Sequence, residues 1–156
     1  MMSLKVQPNS HHCFVCGLQN PIGLKLRFYE TGPGEVTAEY TVGDEYQGYP
    51  GVVHGGVVAA LLDEVCGRVH MNGNPPRFYY TARLTMRYRK NVPVGEPLKI
   101  VGRTTKGKRR TPTSTGSIYG AGGELLAEAE AILVEVPEEL YKSSDLETLG
   151  WKVYPD

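Results

Sequence analysis

The stretch Gly51-Val52-Val53-His54-Gly55-Gly56-Val57-Val58-Ala59-Ala60-Leu61-Leu62-Asp63-Glu64 decides the fold. From Val57 to Val69 its only breaker is Gly67, and Val57, Val58, Ala59, Ala60, Leu61, Leu62, Val65 and Cys66 put apolar side chains on nearly every side. A helix apolar all round is a buried helix, and it needs other elements wrapped about it. Asn72-Gly73-Asn74-Pro75-Pro76 is the stop signal.

On the N-terminal side, residues 24–29 and 35–41 alternate apolar and polar with Gly32-Pro33-Gly34 between them, which predicts a β-hairpin. Gln47-Gly48-Tyr49-Pro50-Gly51 is too punctuated for regular structure and predicts a shaped loop before the helix. Beyond the helix, strands are predicted at 79–89, 98–105, 113–120 and 124–136, separated by Val92-Pro93-Val94-Gly95, Lys106-Gly107-Lys108 and Gly120-Ala121-Gly122-Gly123. The last segment contains good helix formers, but Ala127-Glu128-Ala129-Glu130-Ala131 alternates strictly, so we read it as a strand. The order is two strands, one buried helix, four strands: an α+β fold in which an antiparallel sheet wraps one long central helix. The sheet covers that helix on one face only, which invites pairing with a second copy.

At 156 residues the chain has the length of one domain, with 40% hydrophobic and 22% charged residues. No run of about 18 apolar residues points to a membrane span. The segment Met1-Met2-Ser3-Leu4-Lys5-Val6-Gln7-Pro8 lacks the apolar region of a secretory signal, and three cysteines do not make a disulfide framework. A reducing cytoplasm is the expected location. The balance of 17 basic and 17 acidic residues argues against a general nucleic-acid partner, yet it is uneven. Residues 1–82 carry 5 basic and 7 acidic side chains, 83–110 carry 10 basic and only Glu96, and 111–156 carry 2 basic and 9 acidic, giving −2, +9 and −7. The middle segment is either a solvated sheet face or a local attractor of anions.

Two features invite chemistry. Gly55 and Gly56 directly precede the helix, where uncovered backbone N–H groups at the positive end of the dipole admit a ligand oxygen. That is the form of an oxyanion site; the plainer reading is a glycine turn. Asp63 lies eight residues after Gly55 inside an apolar helix. Either an Arg or a hydroxyl satisfies it, or it faces a cavity as a base or nucleophile. Glu64 is about 100° further round, which predicts that the two carboxylates do not share a pocket.

His54-Gly55-Gly56 with Asp63, followed by Thr81-Ala82-Arg83-Leu84 and Met86-Arg87-Tyr88-Arg89-Lys90-Asn91-Val92-Pro93, resembles the hotdog-fold acyl-CoA thioesterases of the phenylacetate-pathway and thioesterase-superfamily-member type. The resemblance covers roughly residues 24–136, and divides the chain into a Cys/His-containing segment 1–23, a hotdog domain 24–137 and an acidic tail 138–156. It implies hydrolysis of an acyl-CoA to a free acid and coenzyme A, with no cofactor, in a homodimer or homotetramer. In it Gly55 offers its N–H to the thioester carbonyl and Gly56 allows close packing. Asp63 is the catalytic carboxylate, lying across a dimer interface from the glycine. Thr81 supplies a hydroxyl for the attacking water, and His54 is a loop-fixing residue or, alternatively, the base. Some relatives carry Asn or Gln six residues before the histidine; here Gly48 stands there, and the adjacent Gln47 is the substitute. The same architecture also serves non-catalytic acyl-CoA sensors and dehydratases or hydratases.

With coenzyme A as the expected ligand, the basic segment has a use: Arg suits bidentate phosphate contact, and Arg89, Arg103 and Arg109 are the candidates. His11-His12-Cys13-Phe14-Val15-Cys16-Gly17 is the second conspicuous string. Its plain reading is a knuckle-like turn and no metal is expected; were one present, Cys13, Cys16 and His11 are the candidate ligands. A redox role lacks the βαβ surroundings such a pair usually has.

Overall fold

The computed structural model describes residues 4–71, 76–140, 146 and 148–155. The helix stop at Asn72–Pro75 and part of the acidic tail therefore lie outside the described residues.

The alternation in the chain becomes one seven-stranded sheet. Its strands are β1 (Lys5–Val6), β2 (Tyr29–Gly32), β3 (Glu35–Thr41), β4 (Tyr79–Tyr88), β5 (Pro97–Thr105), β6 (Thr113–Tyr119) and β7 (Leu125–Glu135), ordered β1-β2-β3-β5-β6-β7-β4 with every pairing antiparallel. The sheet wraps α1 (Gly55–Arg68), the hotdog arrangement. In β7, Ala127, Ala129, Ala131 and Leu133 are buried while Glu130, Ile132 and Val134 face out, so the period of two overrides helix propensity.

The helix buries Val58, Leu61, Leu62 and Val65 against the concave face, each worth about 1.5–3 kcal/mol relative to exposure. It approaches closely because Gly102 and Gly116 pair across β5 and β6 beneath it. A Cβ on Gly102 would stand 2.7 Å from the Val65 carbonyl oxygen, and one on Gly116 3.0 Å from a Val65 methyl. The helix is nonetheless not buried all round. Gly56 is exposed, and Ala59, Ala60, Asp63 and Gly67 are only half-buried along one stripe. No described helix is long and apolar enough to cross a membrane.

One strand boundary differs from the expectation. The first hairpin strand begins at Tyr29 rather than residue 24. Leu24, Leu26 and Phe28 are buried in alternation as predicted, but Lys25 has φ of 60°, and the Leu24 and Leu26 N–H groups donate to Phe14 and Val15 carbonyls outside the sheet. The described part of the tail also docks. Asn9 bridges Lys152, the Trp151 ring lies 5.0 Å from Phe78, and Tyr154 and Pro155 carbonyls accept from Arg27.

Candidate functional site

A helix begins with four N–H groups that have no acceptor within it. His54, the N-cap of α1, takes three of them: its Nδ1 accepts from Gly56 N–H at 2.9 Å, and its carbonyl from Val57 and Val58 N–H at 2.9 and 3.1 Å. The fourth, on exposed Gly55, is left at the positive end of the dipole. Gly56 lets the capping ring fold over, since a Cβ there would stand 3.1 Å from His54 Nδ1. The Tyr88 hydroxyl, from the end of β4, donates to the Gly55 carbonyl at 2.7 Å and fixes the turn from the other side. A cavity of about 400 Å3 opens here, lined by Tyr49, His54, Gly55, Tyr88, Arg89 and Lys90 among others.

Asp63 sits two turns further on, half-buried. The Thr81 hydroxyl of β4 donates to its Oδ1 at 2.5 Å. The sheet register makes this contact possible: Thr81 faces Leu133, a buried residue of β7, so both point toward the helix. Asp63 and Thr81 line a second cavity of about 180 Å3, together with Cys13, Glu64, Arg68 and Trp151. Asp63 and Glu64 thus do share a cavity, against the expectation from their angle, because the pocket spreads around the last turns of the helix.

Gly55 and Asp63 line different cavities, and eight residues of helix separate them by about 12 Å along the axis. Within one chain they do not meet.

The remaining sequence candidates fall in several places. Gln47 uses its Oε1 to accept from Gly51 N–H at 3.3 Å, bracing the loop before the helix. Gly48 packs on His54: a Cβ there would lie 3.2 Å from the His54 Cα. Arg89 lines the Gly55 cavity while pairing with Glu128 at 3.1 Å. Arg103 pairs with Glu35 at 3.0 Å and lines a separate cleft with Lys99 and Tyr119. Arg109 is exposed in the segment joining β5 and β6. The +9 segment is thus partly offset by carboxylates across the sheet, with Arg87 facing Glu128 and Arg103 facing Glu35.

The N-terminal knuckle lies against the Asp63 cavity. Arg68, 1% exposed, holds Glu64 Oε1 at 3.1 Å, stacks 4.6 Å above Phe28 and donates to the Pro8 carbonyl. Burial pushes the Glu64 carboxyl up to about 7 despite Arg68 beside it. The Cys13 thiol reaches Glu64 Oε2 at 3.8 Å, and Cys16 Sγ lies 3.5 Å from Ser10 Oγ. A hydrogen bond from Cys13, aided by the Arg68 charge and Ser10, brings the Cys16 thiol down to about 5, while Cys13 is pushed up. His11 packs instead toward Tyr154, ring centroids 6.1 Å apart. Sequence reasoning missed Arg68 and Trp151 at this cavity; the i,i+4 spacing of Glu64 and Arg68 was the available signal for the first.

A family profile described as the thioesterase superfamily matches residues 50–127, which span the helix, both cavities' helical walls, β4 to β6 and the start of β7. Among solved structures, a thioesterase superfamily protein aligns at 34% identity with a TM-score of 0.73, over 80% of this chain and 63% of its own. This chain therefore spans less than two thirds of that relative. A Streptococcus mutans protein bound to acetyl CoA aligns at 22% identity and TM-score 0.64, over 71% of this chain and 88% of its own. A hypothetical thioesterase from Streptococcus pneumoniae with coenzyme A aligns at 21% and 0.64, over 71% and 85%. No curated protein matches.

Proposed function

This chain belongs to the thioesterase superfamily and has its hotdog fold, and on that premise we propose that it hydrolyses an acyl-CoA thioester, with each active site shared between two copies of the chain. The observation that carries the reading is the separation of the two candidate groups. One protomer has in one cavity a Gly55 N–H with no acceptor among the described residues, and in another a hydroxyl-held Asp63. The stripe Gly56, Ala59, Ala60, Asp63 and Gly67, exposed at Gly56 and half-buried beyond it, runs between them, and we assign the second copy to that face. A two-fold axis across that stripe sets Gly55 of one protomer opposite Asp63 of the partner subunit, and makes two equivalent sites.

In each site the Gly55 N–H donates to the thioester carbonyl oxygen and stabilises the negative charge that develops on it. Asp63 of the partner subunit takes a proton from water as the water oxygen bonds to the carbonyl carbon. Thr81, its proton committed to Asp63 Oδ1, keeps lone pairs to orient that water. The tetrahedral intermediate collapses by breaking the C–S bond. The thiolate leaves without a strong acid, since thiols have pKa near 8.5; the proton held on Asp63 then passes to it, which restores the carboxylate, and the products are a carboxylic acid and coenzyme A. Arg89 and Lys90, which line the Gly55 cavity, are the residues we assign to the phosphates. The acetyl CoA held by the Streptococcus mutans relative supports this ligand class.

Thiol release over a panel of short, long and aryl acyl-CoAs tests the reading. Asp63→Asn should abolish turnover while leaving the oligomer intact. Undiminished turnover would remove Asp63 from the mechanism, and tight coenzyme A binding without thiol release by the unmodified chain would make it a sensor instead.

A further inference from the structure

Three ligand-bearing side chains converge beside the Asp63 cavity from two parts of the chain. Cys13 and Cys16 come from the N-terminal knuckle and Glu64 from α1, and their Sγ and carboxylate oxygen atoms all lie within 4.8 Å of one another. We propose that Cys13, Cys16 and Glu64 bind a thiophilic divalent cation, zinc in the first instance, which clamps the N-terminal arm onto the helix that carries Asp63.

Four features of the cluster favour a cation. First, the spacing fits. Zn–S of about 2.3 Å and Zn–O of about 2.0–2.2 Å at tetrahedral angles put a sulfur and an oxygen ligand about 3.5 Å apart. Cys13 Sγ and Glu64 Oε2 stand at 3.8 Å. Second, the carboxylate is already oriented. Arg68 holds Oε1 at 3.1 Å and leaves Oε2 toward the thiols, the arrangement by which outer residues fix metal ligands. Third, the knuckle is built to present both sulfurs on one side. Gly17 N–H donates to the Cys13 carbonyl at 2.8 Å, and a Cβ on Gly17 would lie 2.4 Å from that same oxygen, so only glycine closes the turn. Fourth, the charges balance. A divalent cation, two thiolates, one carboxylate and the buried Arg68 guanidinium sum to zero, as a low-dielectric site requires.

Three protein ligands leave a fourth position, and Cys13 and Glu64 both line the Asp63 cavity, so water from that cavity completes the tetrahedron. A Cys13–Cys16 disulfide would use the same sulfurs but would leave Glu64 Oε2 without a thiol partner, Oε1 alone being held by Arg68.

The test uses the full chain, reduced, stripped with a chelator and titrated with Zn2+ against a chromophoric competitor, then with Co2+ to read thiolate-to-cobalt absorption. No acyl-CoA enters, so failure here is separable from failure of the hydrolase reading. One ion per chain is expected, with a thiolate signal. Cys13→Ser and Cys16→Ser should each lower affinity at least about 100-fold and weaken that signal. Glu64→Gln should lower affinity about 10–100-fold while keeping the signal, and Cys66→Ala, outside the cluster, should change neither. Zn2+ should raise the melting temperature of the unmodified chain, a readout that survives if the cysteine variants do not fold. Substoichiometric binding, no thermal shift, or an affinity that falls with His11→Ala but not with Glu64→Gln would overturn the proposal. So would aerobic conversion of Cys13 and Cys16 to a disulfide that added Zn2+ does not prevent.

Discussion

Thr81 on the edge strand β4 and Asp63 on α1 are joined by a 2.5 Å hydrogen bond in which the hydroxyl donates to Oδ1. The bond ties the end of the sheet to the helix at the one acidic residue that both faces a cavity and lies on the half-buried stripe. It fixes the carboxylate rotamer and leaves Oδ2 for water.

Removing that donor should weaken catalysis more than binding. A hydrogen bond to a charged group is worth about 1.5–3 kcal/mol, so Thr81→Val is expected to lower kcat roughly tenfold or more with KM little changed, and Thr81→Ser to restore most of the rate. Steady-state thiol release by the three proteins checks this. An equal rise in KM with kcat preserved would mean that Thr81 serves binding alone.

His54 separates two roles. Its ring accepts the Gly56 N–H, while its backbone carbonyl takes the other two and survives substitution, so His54→Ala should lose one cap bond and cost about 1 kcal/mol, or roughly 2–4 °C in Tm. His54→Asn, which keeps an acceptor, should recover most of it. Turnover should persist within about tenfold in both variants, a loss too small for removal of a general base. A folded His54→Asn protein with no activity would instead make His54 the base.

The hotdog architecture was legible in the residues themselves. The uninterrupted apolar run of α1 required a wrapping sheet, and the strict alternation at 127–131 identified β7 in spite of its helix formers. The start of the first hairpin was misread because alternation reports burial, not pairing; Leu24 and Leu26 are buried in a segment that turns at Lys25 and bonds outside the sheet. Gly55 and Asp63 stood out as candidates because each is out of place in an apolar helix, and the roles expected of them came from the resemblance. What remained hidden was long-range. Nothing local to Trp151 or Cys13 shows that the two ends of the chain meet beside Asp63. The cationic segment likewise could not reveal that Glu35 and Glu128 stand across from it.

Both arginines are ion-paired, and what distinguishes them is the cavity each one lines. Arg89 borders the Gly55 cavity, whereas Arg103 is bound to Glu35 beside another cleft. Arg89→Ala should raise KM for acyl-CoA several-fold, with a larger effect at low salt because exposed charges are screened over about 8–10 Å. Arg103→Ala should leave KM unchanged. Initial rates at two ionic strengths decide it, and a KM effect confined to Arg103 would move the phosphate contact to the β5–β6 side.

Glu35 adds an acid-sensitive element. A hydrogen bond from Thr31, then the Arg103 guanidinium, holds its carboxyl below the usual carboxylate range. A depressed folded-state value means a contribution present above the unfolded-state pKa of about 4.3 and lost as pH falls through the folded value. Urea unfolding should show Glu35→Gln less stable than the unmodified chain at neutral pH, with the gap narrowing as pH falls below the unfolded-state value and closing once it is below the folded one. A gap that persists there would assign the loss to packing rather than to charge.

The central claim, that Gly55 and Asp63 act together only across two copies, is tested most directly by mixing two inactive variants. Gly55→Pro deletes the single N–H at a first helical position where proline is tolerated, and His54, at φ −55° and ψ 135°, already has the backbone a residue before proline prefers. Gly55→Pro and Asp63→Asn should each be inactive alone. Co-refolded in equal amounts, they should form about half mixed dimers, each with one site built from two unmodified residues, and recover about a quarter of the unmodified rate per chain. No recovery in mixed dimers that demonstrably form would place both groups in the same protomer and contradict the account.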